Sequence, residues 1–144
     1  MPKGLSGSYT HKLDGKGRVV LPAKFRYELG QSVMTTIGTE KCIHVYSMEE
    51  WEAFQTRLSQ MRSGTRNGRR LSVVIMASAQ ESEIDSSGRI MLPKNLRDYA
   101  NITQDVSING AGERLEIWDL ATWDIYWNET TANILDMAEG VGWL

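Results

Sequence analysis

Hydrophobic and polar positions along this chain follow two periods, and the same succession of periods occurs twice. Tyr9 to Leu13 alternates as a half-buried strand does, Asp14-Gly-Lys-Gly17 breaks the pattern with turn residues, and Arg18 to Leu21 resumes an extended apolar run. Two such runs around a glycine-containing turn predict a β-hairpin. Pro22 suits the first turn of a helix over Ala23 to Leu29, and Gly30 suits its end. Ser32–Ile37 and Cys42–Tyr46 predict two further strands. From Met48, the apolar positions Trp51, Phe54, Leu58 and Met61 are spaced for a helix. A second set repeats this order: a turn at Asp85–Gly88, a strand at Arg89–Leu92, a helix from Pro93, strands near Val106–Ile108 and Leu115–Trp118, and a helix from Leu120. Leu71 to Ala79 reads equally well as strand or helix by periodicity.

The recurrence is also visible residue by residue. Asp14-Gly-Lys-Gly-Arg-Val-Val-Leu-Pro-Ala-Lys-Phe-Arg26 aligns with Asp85-Ser-Ser-Gly-Arg-Ile-Met-Leu-Pro-Lys-Asn-Leu-Arg97. Asp, Gly, Arg, Leu, Pro and the final Arg are identical, and three more positions exchange apolar residues. Further on, Ile43-His-Val-Tyr46 aligns with Leu115-Glu-Ile-Trp118, and Trp51 with Trp123. Units of about 45 residues rarely hold a core alone, so the two copies are expected to pack on each other. The expected division is a first repeat at 8–50, a helical linker at 51–78, a second repeat at 79–122 and a helical tail at 123–144.

Composition narrows the function classes. In 144 residues the net charge is −2, with 41% hydrophobic and 24% charged residues, a globular balance. The longest apolar run, Val73–Ala77, is far short of a membrane span. The opening Met-Pro-Lys-Gly-Leu-Ser-Gly-Ser has no apolar centre, so no secretory leader and a cytoplasmic location are expected. One cysteine excludes an internal disulfide. Charge is polarised: residues 1–72 carry 12 Lys/Arg against 6 Asp/Glu, and residues 73–144 carry 4 against 12. A polarised chain presents a basic and an acidic surface, unless its two halves neutralise each other.

The candidate chemistry follows that split. Lys12, Lys16, Arg18, Lys24 and Arg26 surround the first Asp-x-x-Gly-Arg turn, whose Gly15 and Gly17 let a backbone approach a phosphate. Asp14 reads first as the cap of its own turn. The second turn, with Asp85, Gly88 and Arg89, replaces Lys16 by Ser87 and Lys12 by Glu83, and reads as mainly structural. Cys42 and His44 stand two apart on one predicted strand without an apparent third ligand, so no metal site is expected. No cofactor motif, nucleophile elbow or phosphate loop occurs, and no enzyme or small-molecule substrate is expected. Trp51, Trp118 and Trp123 recur as core residues do. Trp127 and Trp143, in the acidic half, suit either burial or an intersubunit contact.

The paired Asp-x-x-Gly-Arg-(apolar)₃-Pro segments about 71 residues apart, with Tyr46-x₄-Trp51 and Trp118-x₄-Trp123, resemble the MraZ family of bacterial transcriptional regulators. A single copy would be shared with AbrB-like proteins generally. The resemblance covers about residues 5–135. It implies an α+β fold, a swapped-hairpin AbrB-like β-barrel formed by the two repeats with flanking helices, and helix at Leu71–Met76. It implies homo-oligomeric rings, octamer or dodecamer. It implies nucleoid-associated binding of double-stranded promoter DNA at repeated boxes upstream of the division and cell-wall gene cluster, the chain's own promoter included. The DNA-contacting motif then falls on Asp14–Arg18, with Arg18 foremost. Two other classes stay open on the residues alone: an antidote that binds a toxin through its acidic tail, and a nuclease that uses its carboxylates.

Overall fold

The computed structural model describes residues 4–62 and 64–144, with the side chain of Arg62 excepted; Met1–Lys3 and Ser63, and the expectations that fall on them, lie outside the described residues. The described residues form eight strands and six helices. The first repeat runs through β1 (Ser8–Lys12), β2 (Arg18–Val20), α1 (Ala23–Leu29), β3 (Ser32–Ile37) and β4 (Ile43–Ser47). Helices α2 (Met48–Arg62) and α3 (Arg66–Ser78) follow. The second repeat is β5 (Gln80–Glu83), β6 (Arg89–Met91), α4 (Lys94–Tyr99), β7 (Asp105–Gly110) and β8 (Leu115–Asp119). The chain ends in α5 (Leu120–Ala132) and α6 (Ile134–Val141).

Of the ambiguous Leu71–Ala79, residues 71–78 are helix, within α3, and Ala79 caps its end. Thr65 caps it by accepting a hydrogen bond from the Gly68 N–H at 2.9 Å, and it buries Ser72 and Ile75. Arg66, Arg69 and Arg70 fall in the first turns of this helix. None of the described helices is long and apolar enough to cross a membrane.

One expectation is corrected. Each turn forms, but the strands flanking it do not pair with each other. β1 pairs antiparallel with β7 of the other repeat, and β2 with β6. By the same exchange β5 pairs with β3. The result is a six-stranded antiparallel sheet in the order β1-β7-β8-β4-β3-β5 and a two-stranded ladder, β2-β6. The sheet order is unchanged when the repeats are interchanged. The physical reason lies in the apolar faces: a hairpin closed within one repeat would leave Val19 or Ile90 in water, whereas the β2-β6 ladder sets them opposite each other at 1% exposure.

The register defines an approximate twofold axis. Val19 faces Ile90 and His44 faces Glu116, each residue opposite its own counterpart. On one side of the sheet lies a shared apolar core, to which both repeats contribute alternate residues: Leu21, Phe25, Ile43 and Val45 from the first, Leu92, Leu96, Leu115 and Ile117 from the second. On the other side, α2 and α5 cover the sheet with matched aromatic sets. Tyr46 stacks on Phe54 and leans on Trp51, and Trp118 packs on Trp123 and Tyr126. Between these sets, at the axis, the β4-β8 seam is polar. Glu116 there, hydrogen-bonded first of all by His44, has its carboxyl held down at about 2, and burial pushes the Cys42 thiol up to about 12.

Truncating a side chain on the axis removes apolar burial from both repeats together. Ile90→Ala is expected to lower the unfolding free energy by about 2–5 kcal/mol, read from urea denaturation as a lower midpoint with a single transition.

Candidate nucleic-acid interface

The two Asp-x-x-Gly-Arg turns are built alike and lie side by side. In the first, one Asp14 carboxylate oxygen accepts the backbone N–H groups of Lys16 and Arg18, both at 2.9 Å, and the other accepts Arg18 Nε at 2.8 Å. In the second, Asp85 accepts the N–H groups of Ser87 and Arg89 at 2.9 Å, and Arg89 Nε at 2.9 Å. Gly17 and Gly88 close the turns at φ +78° and +80°, a region that side chains disfavour. The turns are bound crosswise: the Leu21 N–H donates to the Gly88 carbonyl and the Leu92 N–H to the Gly17 carbonyl, both at 2.9 Å. Arg89 Nη1 also lies 3.8 Å from Asp14 Oδ2, so this guanidinium spans both carboxylates.

These contacts separate the arginines. Arg89 is held by two aspartates. Arg18 is held by one, through Nε, which leaves most of its five N–H donors for another acceptor. Both aspartates spend their hydrogen bonds inside their own turns, and among the described residues Asp14 pairs besides only with Arg89 of the neighbouring turn, so Asp14 sets geometry. Lys16 and Gly15 are exposed at the tip of the first turn, beside the buried Gly17. Lys12 is exposed and paired with Asp105 at 2.8 Å, and Lys24 Nζ donates to the Ser6 carbonyl at 3.0 Å.

The exchange of strands also moves two cations. The expectation that Arg26 flanks the first turn is corrected: its guanidinium lies against Gly88 of the second turn, so close that a Cβ there would meet Nη1, and its Nε is buried without a hydrogen-bond partner among the described residues. Its counterpart Arg97 sits against Gly17 of the first turn, with Nε donating to the Leu92 carbonyl at 2.9 Å. Arg97 was not expected in the basic cluster. The repeat alignment pairs it with Arg26, and only the exchange carries each arginine to the other repeat's turn. Lys16, Arg18 and Arg97 thus lie at the first turn and Arg26 and Arg89 at the second, with both aspartates already paired.

The other sequence candidates lie apart from this surface. Cys42 and His44 are in the β4-β8 seam. Trp127 and Trp143 are 53% and 84% exposed on and beyond the terminal helices and take no part in the turns.

Fold and site together define a duplicated α+β protein with interlocked, arginine-bearing turns. The sequence model of the family described as "MraZ protein, putative antitoxin-like" matches residues 5–73 and 75–139. A protein of Thermoanaerobacter sp. (strain X514) named "Transcriptional regulator MraZ" is 42% identical over 135 residues, covering 94% of each chain. The chain belongs to the MraZ family.

The backbone N–H groups of Arg18 and Arg89 are the first cause that holds Asp14 and Asp85 below the ordinary carboxylate range. Folded values depressed below the unfolded ones give stability that is present above the unfolded pKa and lost as pH falls through the folded pKa. The turns are therefore expected to stay ordered from neutral pH down to about 4 and to loosen only below that. Amide exchange of Lys16, Arg18, Ser87 and Arg89 followed by NMR against pH checks this.

Proposed function

We propose that this chain is a DNA-binding transcriptional regulator whose paired turns meet duplex DNA. The observation that carries the reading is the internal neutralisation of Asp14 and Asp85, which leaves Lys16 and Arg18 with Arg97 as an outward cationic surface on a chain of net charge −2. The relative's name points the same way. Arg18 is the base-reading candidate, because a guanidinium fork fits a guanine edge in the major groove. Lys16 and the Gly15 backbone suit phosphates, and Lys12 and Lys24 join them by giving up exposed contacts worth about 1 kcal/mol or less. Arg89, clamped between two carboxylates, holds the platform together. Residues 8–50 form the DNA-facing repeat, 79–122 its supporting partner, 51–78 the helical connection and 123–144 the tail. We read the exchanged strands as a swapped-hairpin, AbrB-like barrel.

One small basic surface binds DNA weakly, so the regulator acts as a homo-oligomeric ring, octamer or dodecamer, on repeated boxes. The boxes lie upstream of the division and cell-wall gene cluster and include its own promoter, which places it on the nucleoid in the cytoplasm. Later contacts of a ring already on DNA are intramolecular and gain from effective concentration. The uncovered apolar residues Ile134, Leu135, Val141 and Trp143 on and beyond α6 support assembly.

Four outcomes are expected. Arg18→Ala weakens binding to DNA from upstream of the chain's own gene by about 5- to 150-fold per subunit engaged, with circular dichroism unchanged. Arg89→Ala chiefly lowers stability, and equal loss of DNA binding by both variants in folded protein would overturn the division of roles. Light scattering gives a mass several times the 16.2 kDa of one chain. In gel shifts across salt, the log–log slope is about −2 to −3 for one box and about −6 to −10 for four. Identical slopes would mean that each subunit acts alone.

A further inference from the structure

The β4-β8 seam, on the far side of the sheet from the shared core, holds a set of side chains that the DNA-binding reading does not use. Cys42 immediately precedes β4, His44 lies on β4, and Glu116 of β8 stands directly opposite His44 in the ladder. One ligand atom from each of the three lies within 4.8 Å of the others, the only such group among the described residues. His44 Nε2 is 3.5 Å from Glu116 Oε2, and Cys42 Sγ is 3.9 Å from Glu116 Oε1. A tetrahedral zinc ion, with bonds of about 2.3 Å to sulfur and about 2.0–2.1 Å to nitrogen and oxygen, sets its ligand atoms roughly 3.3–3.8 Å apart. Inward shifts of up to about 1 Å bring the three to that spacing.

We propose that Cys42, His44 and Glu116 form a binding site for a borderline-soft divalent cation, zinc foremost, which fastens β4 to β8 across the approximate twofold axis. The donor set selects the metal: thiolate and imidazole favour zinc and disfavour the harder magnesium and calcium. Cys42, at the end of the β3–β4 connection, is fully buried, and His44 of β4 is 7% exposed, so both ligands are held by packing against the sheet.

The surroundings are those of a built site. Tyr46 Oη lies 3.5 Å from His44 Nδ1, which leaves Nε2 as the nitrogen that faces Glu116. Trp118 Nε1 donates to Glu116 Oε1 at 3.1 Å, and Arg114 Nη2 to Oε2 at 2.7 Å. Outer partners of this kind fix ligand orientation. The backbone of Gly38 closes one side: a Cβ there would lie 2.6 Å from the His44 ring and 2.7 Å from Cys42 Sγ. Arg114 is the opposing element, since it shares the carboxylate and carries like charge to the ion. It keeps one carboxylate oxygen while the metal takes the other. The side chains of Arg114 and Glu116 are 31% and 19% exposed, so water reaches this edge and supplies the fourth ligand. On coordination the Cys42 thiol gives its proton to solvent and its sulfur bonds the metal.

The experiment uses the full chain, stripped with chelator, kept reduced and titrated with zinc chloride against a chromophoric chelator. One zinc per chain is expected. Cys42→Ser and His44→Phe should each weaken binding by about 10-fold or more, while His11→Ala leaves it unchanged. Zinc at about 100 times its dissociation constant should raise the folding equilibrium constant roughly 100-fold, and magnesium should not. Cobalt(II) added to the unmutated protein tests the site even where a variant fails to fold: a sulfur-to-cobalt charge-transfer band in the near ultraviolet is expected. Absence of that band, or zinc binding unaltered in folded Cys42→Ser and His44→Phe, would overturn the proposal. DNA binding of the same variants is measured in parallel, so that failure of this site and failure of the DNA-binding reading are told apart.

Discussion

Neither repeat can cover its own apolar strands. Val19 and Ile90 become buried only against each other, and the alternate residues of β4 and β8 only as adjoining parts of one sheet face. The architecture follows from this shortage. The first strand of each repeat completes the other repeat's edge, the second strands pair at the axis, and the helices α2 and α5 then find equivalent aromatic surfaces to cover. At about 25 cal/mol for each Å² of apolar surface removed from water, the exchange is favoured over two self-closed hairpins that would each leave a face wet.

The electrostatics of the turn surface depend on the same exchange. A net charge of −2 would ordinarily keep a protein away from DNA. What counts locally is which charges are already answered. Each aspartate is answered within its own turn, chiefly by backbone N–H groups, and a cation from the opposite repeat is laid on each glycine. The acidic residues that make the whole chain negative lie mostly in the second half, and the interlocked turns gather Arg18, Arg26, Arg89 and Arg97 around two aspartates that are already answered.

Much of this was legible in the sequence. The order and type of most elements followed from periodicity and turn residues, and duplication was plain from Asp14–Arg26 against Asp85–Arg97. Pairing was not. A glycine turn between two apolar runs has the same composition whether the strands close on each other or part to different sheets, because the deciding energy comes from residues some 70–100 positions away. Arg97 at the first turn, Arg26 at the second and Glu116 beside Cys42 and His44 all escaped notice for that one reason. The α3 segment was undecided because Val73, Val74 and Ile75 favour strands locally, whereas burial of Ile75 and Ser72 with a Thr65 cap favours helix in place. The contacts of Asp14 and Asp85 within their own turns follow from spacing, since both are local; the reach of Arg89 to Asp14 crosses 75 positions and does not.

The exchange of strands also sets the order of events during synthesis. Ser8 in β1 meets Ser107 in β7, 99 positions later, so the first repeat leaves the ribosome with its ladder partner still unmade. Contacts of such long range slow folding and lengthen the time for which a strand edge stands open. Two chains made side by side on one message offer each other the same missing strands that each will later make for itself.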